Sequence, residues 1–276
     1  IGKLRQTLLN KWNFNKKIKI INGAGDNAAA ALGSGVFKDG EMLITLGTSG
    51  VMIMAMDDFN PMIQHNYLTH AHALKNKFIL ESVVLGVTNI IDWYCSVFNT
   101  KIDEFSELTQ HENYSMIKKY PILMPYLSGI RTPHEHPKIE GIIFGLNLNT
   151  NKKNIAWTII EGISFIFKEC QDILINNNYS FPKEIVLIGG GAKNIQWAKI
   201  LSSLLNVQIL VPENQDYVAS IGAIRLAMNN LTMSKYKPIF PESNVIDVDL
   251  PLREILLERF DRYMEHQKLL FNLTNC

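Results

Sequence analysis

The sequence predicts an α/β domain. In the C-terminal half short apolar runs alternate with helical patterns: EIVLIG (184–189), IQWAKILSSLL, VQILV (207–211) and VASIGAIRLAMNN. Upstream, EMLITLGTSGVMIMAM (41–56) sets two apolar runs either side of a Gly-Thr-Ser-Gly turn, a β-hairpin signal. Between these blocks, residues 154–176 carry Ile155, Ile159, Gly162, Ile163, Ile166, Phe167, Cys170, Ile173 and Leu174 at helical spacing, largely on one stripe.

Composition narrows the class. At 276 residues and 47% apolar the chain is long enough for a large core, as one big domain or two small ones. A net charge of +1 makes no electrostatic case for nucleic acid, and the basic cluster Lys11, Lys16, Lys17 and Lys19 is short and interleaved with Trp12 and Phe14. It reads as a solvated, partly packed surface. Cys95, Cys170 and Cys276 are too few and scattered for a disulfide framework, which favours a reducing cytoplasm. Glu161 interrupts the longest apolar candidate, WTIIEGISFIF, so no membrane span is predicted. The chain opens at Ile1 without a methionine, and GKLRQTLLNKW resembles the middle of a helical pattern, so a preceding segment is expected.

Taken in order, residues 18–32 (IKIINGAGDNAAAAL) turn from an apolar run through Gly23 and Gly25 into an alanine-rich helix at Asp26. Asp26 sits where an N-cap or first-turn carboxylate belongs, so it is either a cap or a reacting group. Residues 65–85 predict one or two further strands, and VTNIIDWYCSVF a helix. His70 and His72 would share a strand face, but no third ligand has sensible spacing. Residues 101–119 read as surface helix and loop, and PILMPYLSGIRTPHEHP (121–137), with four prolines, as an ordered loop of functional length. GIIFGLNLNTN gives a short strand and turn. The tail PLREILLERFDRYMEHQKLL is an amphipathic strap offering Ile255, Leu256, Phe260, Tyr263 and Leu269 for docking.

Two glycine clusters carry candidate chemistry. Gly47-Thr48-Ser49-Gly50 brings N–H and O–H donors into a tight space, as an anion-binding nest does, or is a plain turn. Gly189 to Asn194 joins a strand to a helix, where helix N–H groups meet a phosphate or a ring lies on bare backbone. It has neither G-x-G-x-x-G spacing nor a P-loop ending, so a nucleotide there would be held in another way.

NGAGDNAAAALGSGV with LITLGTSGV, then PYLSGIRTPHEHP with GIIFGLNLNTNKKNIAWTIIEGISF, then IVLIGGGAKN together resemble the FGGY family of carbohydrate kinases, most closely its xylulose kinase branch. The resemblance is collinear and runs from about residue 4 to the last helix. It implies an RNase H-like domain of the actin, hexokinase and Hsp70 superfamily, with a mixed sheet flanked by helices. Residues 1–22 would be a remnant of an N-terminal sugar-binding domain and 23–276 the C-terminal nucleotide-binding domain. It implies Asp26 as general base toward the C5 hydroxyl of a ketopentose such as D-xylulose. Gly47, Thr48 and Ser49 would contact the β- and γ-phosphates of ATP. Gly189, Gly190, Gly191, Ala192, Lys193 and Asn194 would form the adenosine loop, and Gly129 would line the nucleotide cleft. Mg2+ would bridge the phosphates near Asp26 through water, with no direct protein ligand. Partners implied are the sugar, the N-terminal domain and, as these kinases often form one, a homodimer; nucleic acid and membrane are not. Two stretches depart from the family pattern: Ile130 stands where a glutamate is usual, and Tyr217, Val218 and Ser220 stand where smaller residues are. The competing reading is an inactive nucleotide-binding or interaction module that keeps the fold; an Hsp70- or actin-like ATPase fits the Asp26 and YLSG motifs less well.

Overall fold

The computed structural model describes residues 2–14, 17–111, 113–231 and 242–274. Ile1, Lys16 and Cys276, noted above, lie outside them. In chain order the elements are β1 (Gly2–Lys3), α1 (Gln6–Lys11), β2 (Lys19–Ile20), α2 (Asp26–Ser34), β3 (Met42–Leu46), β4 (Gly50–Met56), β5 (Leu68–Ala71), β6 (Phe78–Val84), α3 (Thr88–Val97) and α4 (Ile102–Leu108). They continue with β7 (Ile122–Met124), β8 (Ile142–Phe144), α5 (Lys152–Asn176), β9 (Glu184–Ile188), α6 (Ile195–Leu205), β10 (Gln208–Pro212), α7 (Val218–Leu231), β11 (Ser243–Ile246) and α8 (Leu250–Leu273).

The main sheet has seven strands in the order β11-β10-β9-β3-β4-β6-β5. Strands β10, β9 and β3 are parallel, and the remaining neighbours are antiparallel, so the sheet is mixed as expected. Strict alternation splits its residues between two cores. Met42, Ile44, Leu46, Met52, Met54, Leu80, Ile185 and Leu187 face the larger one with α3, α5, α6 and α8. Leu43, Ile53, Ala55, Ile79, Val186 and Ile188 face the smaller one, closed by α2 and α7.

Helices α2 and α7 meet backbone to backbone. A Cβ on Gly33 would lie 1.8 Å from the Val218 carbonyl oxygen, and one on Gly222 1.8 Å from that of Ala29. Only glycine permits this approach. Buried Arg225 then donates from Nη1 to the Leu32 and Gly33 carbonyls at 2.8 Å each, satisfying acceptors in the buried last turn of α2.

Helix α5 is buried around most of its circumference rather than along the single predicted stripe, because the sheet covers one side and α6 and α8 the others. An Asn151/Asn154 capping box starts it. Glu161, the charge that interrupts its apolar run, forms a fully buried ion pair with Arg259 of α8. Of the docking residues expected on α8, Leu256, Phe260 and Tyr263 are buried and Ile255 is partly so. Leu269 is 56% exposed and does not dock, since it lies one position before the buried Leu270 on the turn. The proline-rich segment is also not wholly loop: residues 122–124 form β7, which pairs with β8.

Two histidines are held neutral. His72 Nδ1 accepts from the Leu74 N–H at 3.0 Å, so Nε2 carries the proton and donates to the Val36 carbonyl at 3.0 Å. Both ring nitrogens are therefore committed to the backbone. His111 stands edge-on to Trp157, and burial pushes its pKa from 6.5 down to about 4. The unfolded chain binds that proton more readily, so stability is full above the ordinary histidine range and falls as pH drops through 6.5 toward about 4. A melting series across that window is expected to show the decline, and His111→Asn to flatten it; an unchanged slope would remove His111 as its source.

Candidate active site

Two of the three candidate segments meet at one edge of the sheet. Strands β3 and β9 are parallel, so the turn after β3 and the turn after β9 both leave the sheet at its C-terminal edge. The turns after β3 and β9 lie together, because Gly189 and Gly191 sit against Leu46. Helix α2 precedes β3 in the chain, and at its start Asn27 reaches Glu81 of β6, so Asp26 stands beside that strand.

Asp26 is the first residue of α2, and its N-cap is Gly25, so it is a first-turn residue and not the cap. The carboxylate is exposed; Oδ1 accepts from the Asn27 N–H at 2.8 Å, and the helix dipole favours its charge. Gly25 has φ −58° and ψ 153°, a conformation open to any residue, and a Cβ on Gly23 or Gly25 would meet nothing within 4 Å. The glycines are thus not needed for a sharp bend, as their sequence suggests; they leave open space beside Asp26.

The Gly-Thr-Ser turn is partly self-satisfied. Gly47 N–H donates to the Ser49 carbonyl at 3.1 Å, and the Ser49 hydroxyl donates to the Leu85 carbonyl at 3.3 Å. Thr48 is exposed, and neither its hydroxyl nor its N–H, nor the Ser49 N–H, makes a turn or side-chain hydrogen bond among the described residues. Donors for an anion therefore come from Thr48 and the Ser49 backbone. The Thr48 and Gly47 carbonyls accept from Val87 and Thr88 N–H, 3.1 Å each, tying the turn to the start of α3.

In the second cluster the three glycines differ in purpose. Gly189 has φ +96°, and a Cβ there would lie 2.7 Å from the Leu46 carbonyl oxygen; one on Gly191 would lie 2.7 Å from the Leu46 Cβ. Both let β9 close against the end of β3. Gly190 alone opens outward, with nothing within 4 Å.

The family model for the FGGY carbohydrate kinases, C-terminal domain, matches residues 42–231. The chain belongs to the FGGY family. Xylulose kinase of Escherichia coli K12 is 28% identical over 269 residues, which cover 96% of this chain and 53% of that protein. Xylulose kinase of Klebsiella pneumoniae is 30% identical over 82% of this chain and 46% of its own length. A crystal structure of a xyloylose kinase from Brucella ovis superposes with a TM-score of 0.90 at 28% identity, covering 99% of this chain and 56% of that one. The chain spans about half the length of the curated relatives it matches. The fold is that of the sugar kinases in the actin, hexokinase and Hsp70 superfamily.

Within this FGGY domain several expected contact residues are occupied elsewhere. Ala192 is fully buried. The Asn194 amide caps α6, its Oδ1 accepting from Trp197 N–H at 3.1 Å and its Nδ2 donating to Thr109 Oγ1 at 3.0 Å. Lys193 is exposed and pairs with Asp216 at 3.1 Å. Gly129 is buried at φ +74°, where a Cβ would lie 2.6 Å from the Pro137 carbonyl oxygen; it shapes its own loop. Ile130, at the departing position, is a core residue. Tyr217 and Ser220 are exposed and Val218 is buried under α2.

Sequence reasoning missed the group behind Asp26. Asn27 Nδ2 donates to Glu81 Oε2 at 3.3 Å, and His70 Nε2 stands 3.7 Å from the same oxygen. Burial pushes the Glu81 pKa up, opposed by His70, Asn27 and Arg131 and reinforced by the Asp26 charge. The available signal was a single charge inside the apolar run FILESVV.

Proposed function

We propose that this FGGY domain is the ATP-binding half of a xylulokinase-like sugar kinase and carries its general base. The reading is supported by the turns after β3 and β9, which lie together at one sheet edge with Thr48 and Gly190 open, and by the exposed Asp26 carboxylate at the start of α2. Asp26 takes the proton from a primary hydroxyl as that oxygen attacks the γ-phosphorus of ATP; the phosphoryl group passes to the sugar and ADP leaves. D-xylulose, giving D-xylulose 5-phosphate, is the first substrate to try, because the relatives are xylulose kinases.

The donors fit the nucleotide: the Thr48 hydroxyl and N–H and the Ser49 N–H suit phosphate oxygens, and open Gly190 backbone suits the adenosine. Mg2+ would supply charge neutralisation on the phosphates, held with them near Asp26 through water. Residues 1–22, whose β1–β2 pair is separate from the main sheet, belong in this reading to a sugar-binding domain, which is the partner of residues 23–276. Phosphoryl transfer needs reactants enclosed between two domains, so the 276-residue chain alone is expected to bind nucleotide without appreciable sugar turnover.

Calorimetry with ADP and Mg2+ tests the first half of that expectation. Gly190→Val, whose Cβ would meet nothing within 4 Å, should weaken binding about tenfold, roughly 1.4 kcal/mol, without altering the melt. Absence of nucleotide binding would sink the reading. A coupled ADP-release assay tests the second half, and D-xylulose-dependent release by the chain alone would show that it needs no partner domain.

A further inference from the structure

Glu81 is 4% exposed, on the face of the sheet covered by α2. Its direct cross-strand partners are Ile53 and Leu68, and the face around it is otherwise apolar, with Ala55 and Ile79. A carboxylate buried there costs several kcal/mol unless it is paired and hydrogen-bonded. Compensation is thin: one 3.3 Å hydrogen bond from Asn27 and a half-exposed imidazole at 3.7 Å. From the loop after β7, Arg131 adds a favourable charge, and from α2, Asp26 an unfavourable one. An expensive carboxylate next to a candidate base is a mark of a functional site more than of a stable core.

Its consequence falls on Asn27. An ionised carboxylate only accepts hydrogen bonds, so the amide must turn its donor end inward to Glu81. The carbonyl end, Oδ1, is then the outward end, and it takes no hydrogen bond among the described residues. The Asn27 backbone N–H is meanwhile held by Asp26.

We propose that Glu81 is a positioning residue: it fixes the Asn27 carboxamide with Nδ2 turned inward, leaving Oδ1, on the residue that follows Asp26, as an acceptor for a polyol. A sugar hydroxyl donates a hydrogen bond to it. The orientation of Asn27 stands by itself; its catalytic use rests on the kinase reading above.

The test is NMR of the chain labelled with 15N-asparagine, following the Asn27 side-chain amide through an acid titration, and repeated in His70→Gln to remove the imidazole step. Glu81→Gln, which can still accept from Nδ2, should keep the amide resonances at their high-pH position and abolish their titration step. Glu81→Leu should move them to the position of an unrestrained asparagine while the melting temperature holds or rises. Asp26→Asn should retain the step. A side-chain amide indifferent to Glu81→Leu, or an unchanged step in Glu81→Gln, would overturn the inference. In an assembly with sugar turnover, Glu81→Leu should raise the KM for D-xylulose about tenfold and Glu81→Gln should restore most of it; a purely structural role gives no such rescue. If Asn27 follows Glu81 but no assembly phosphorylates a sugar, the kinase reading fails and the positioning stands.

Discussion

Arg259→Leu is expected to cost about 3–5 kcal/mol, a large share of a typical 5–15 kcal/mol stability. The guanidinium binds Glu161 through two bonds of 2.6 Å, Nε to Oε1 and Nη2 to Oε2. It also donates to the carbonyls of Ile117 at 2.7 Å, Tyr120 at 3.0 Å and Pro121 at 2.8 Å. Removing it leaves a carboxylate and three carbonyls buried without those donors, and water cannot readily replace them inside α5 and α8. Urea unfolding measures the loss directly. The double variant Glu161→Leu/Arg259→Leu should recover much of it, because an apolar pair of similar volume spares both desolvation penalties. The orphaned carbonyls and Trp157 Nε1, which donates to Glu161 at 3.1 Å, keep recovery incomplete. A loss below about 1 kcal/mol in the single variant would mean the pair is not the tie between α5 and α8 that its geometry implies.

Asp26→Asn is expected to lower sugar phosphorylation by about 10²–10⁴-fold in any assembly that joins this domain to a sugar-binding one. Asparagine keeps an Oδ1 to accept from the Asn27 N–H and keeps the helix start, so fold and position survive. What is lost is the ability to take a proton. Binding of ADP with Mg2+ to the chain should stay within about twofold, because the proposed phosphate contacts fall to the Thr48 turn. Retained turnover would remove Asp26 from the role of base. Lost nucleotide binding would mean that it acts through the phosphates instead.

The α/β class, the hairpin at 41–56 and the long helix were legible because each follows one periodicity or one turn signal. Helix α5 was misjudged in how much of it is buried, since a sequence shows a stripe but not how many neighbours surround it. Strand β11 escaped notice: it is four residues with no hydrophobic alternation, held by pairing with β10. In the candidate site, local turn chemistry singled out Asp26 and the two glycine clusters but left a cap or a plain turn open as readings. That chemistry could not separate Gly190, which is open, from Gly189 and Gly191, which admit β3, nor foresee that Asn194 spends its amide as a helix cap. Glu81 and Asn27 come together across 54 positions of chain, a distance no local pattern spans.

The contact of Gly33 with Gly222 has a mechanical side. Side chains between helices act as compliant padding, able to change rotamer while the backbones shift, and here there is none. Helices α2 and α7 are locked as one stiff lever, with the Asp26 end of α2 fixed in pitch by a seam two turns away. Freedom to swing what lies ahead of that lever is left to residues 21–25, where even a Cβ added to Gly23 or Gly25 would meet nothing within 4 Å. In the proposed kinase, a clamp closing there would move its other jaw and leave Asp26 where it stands.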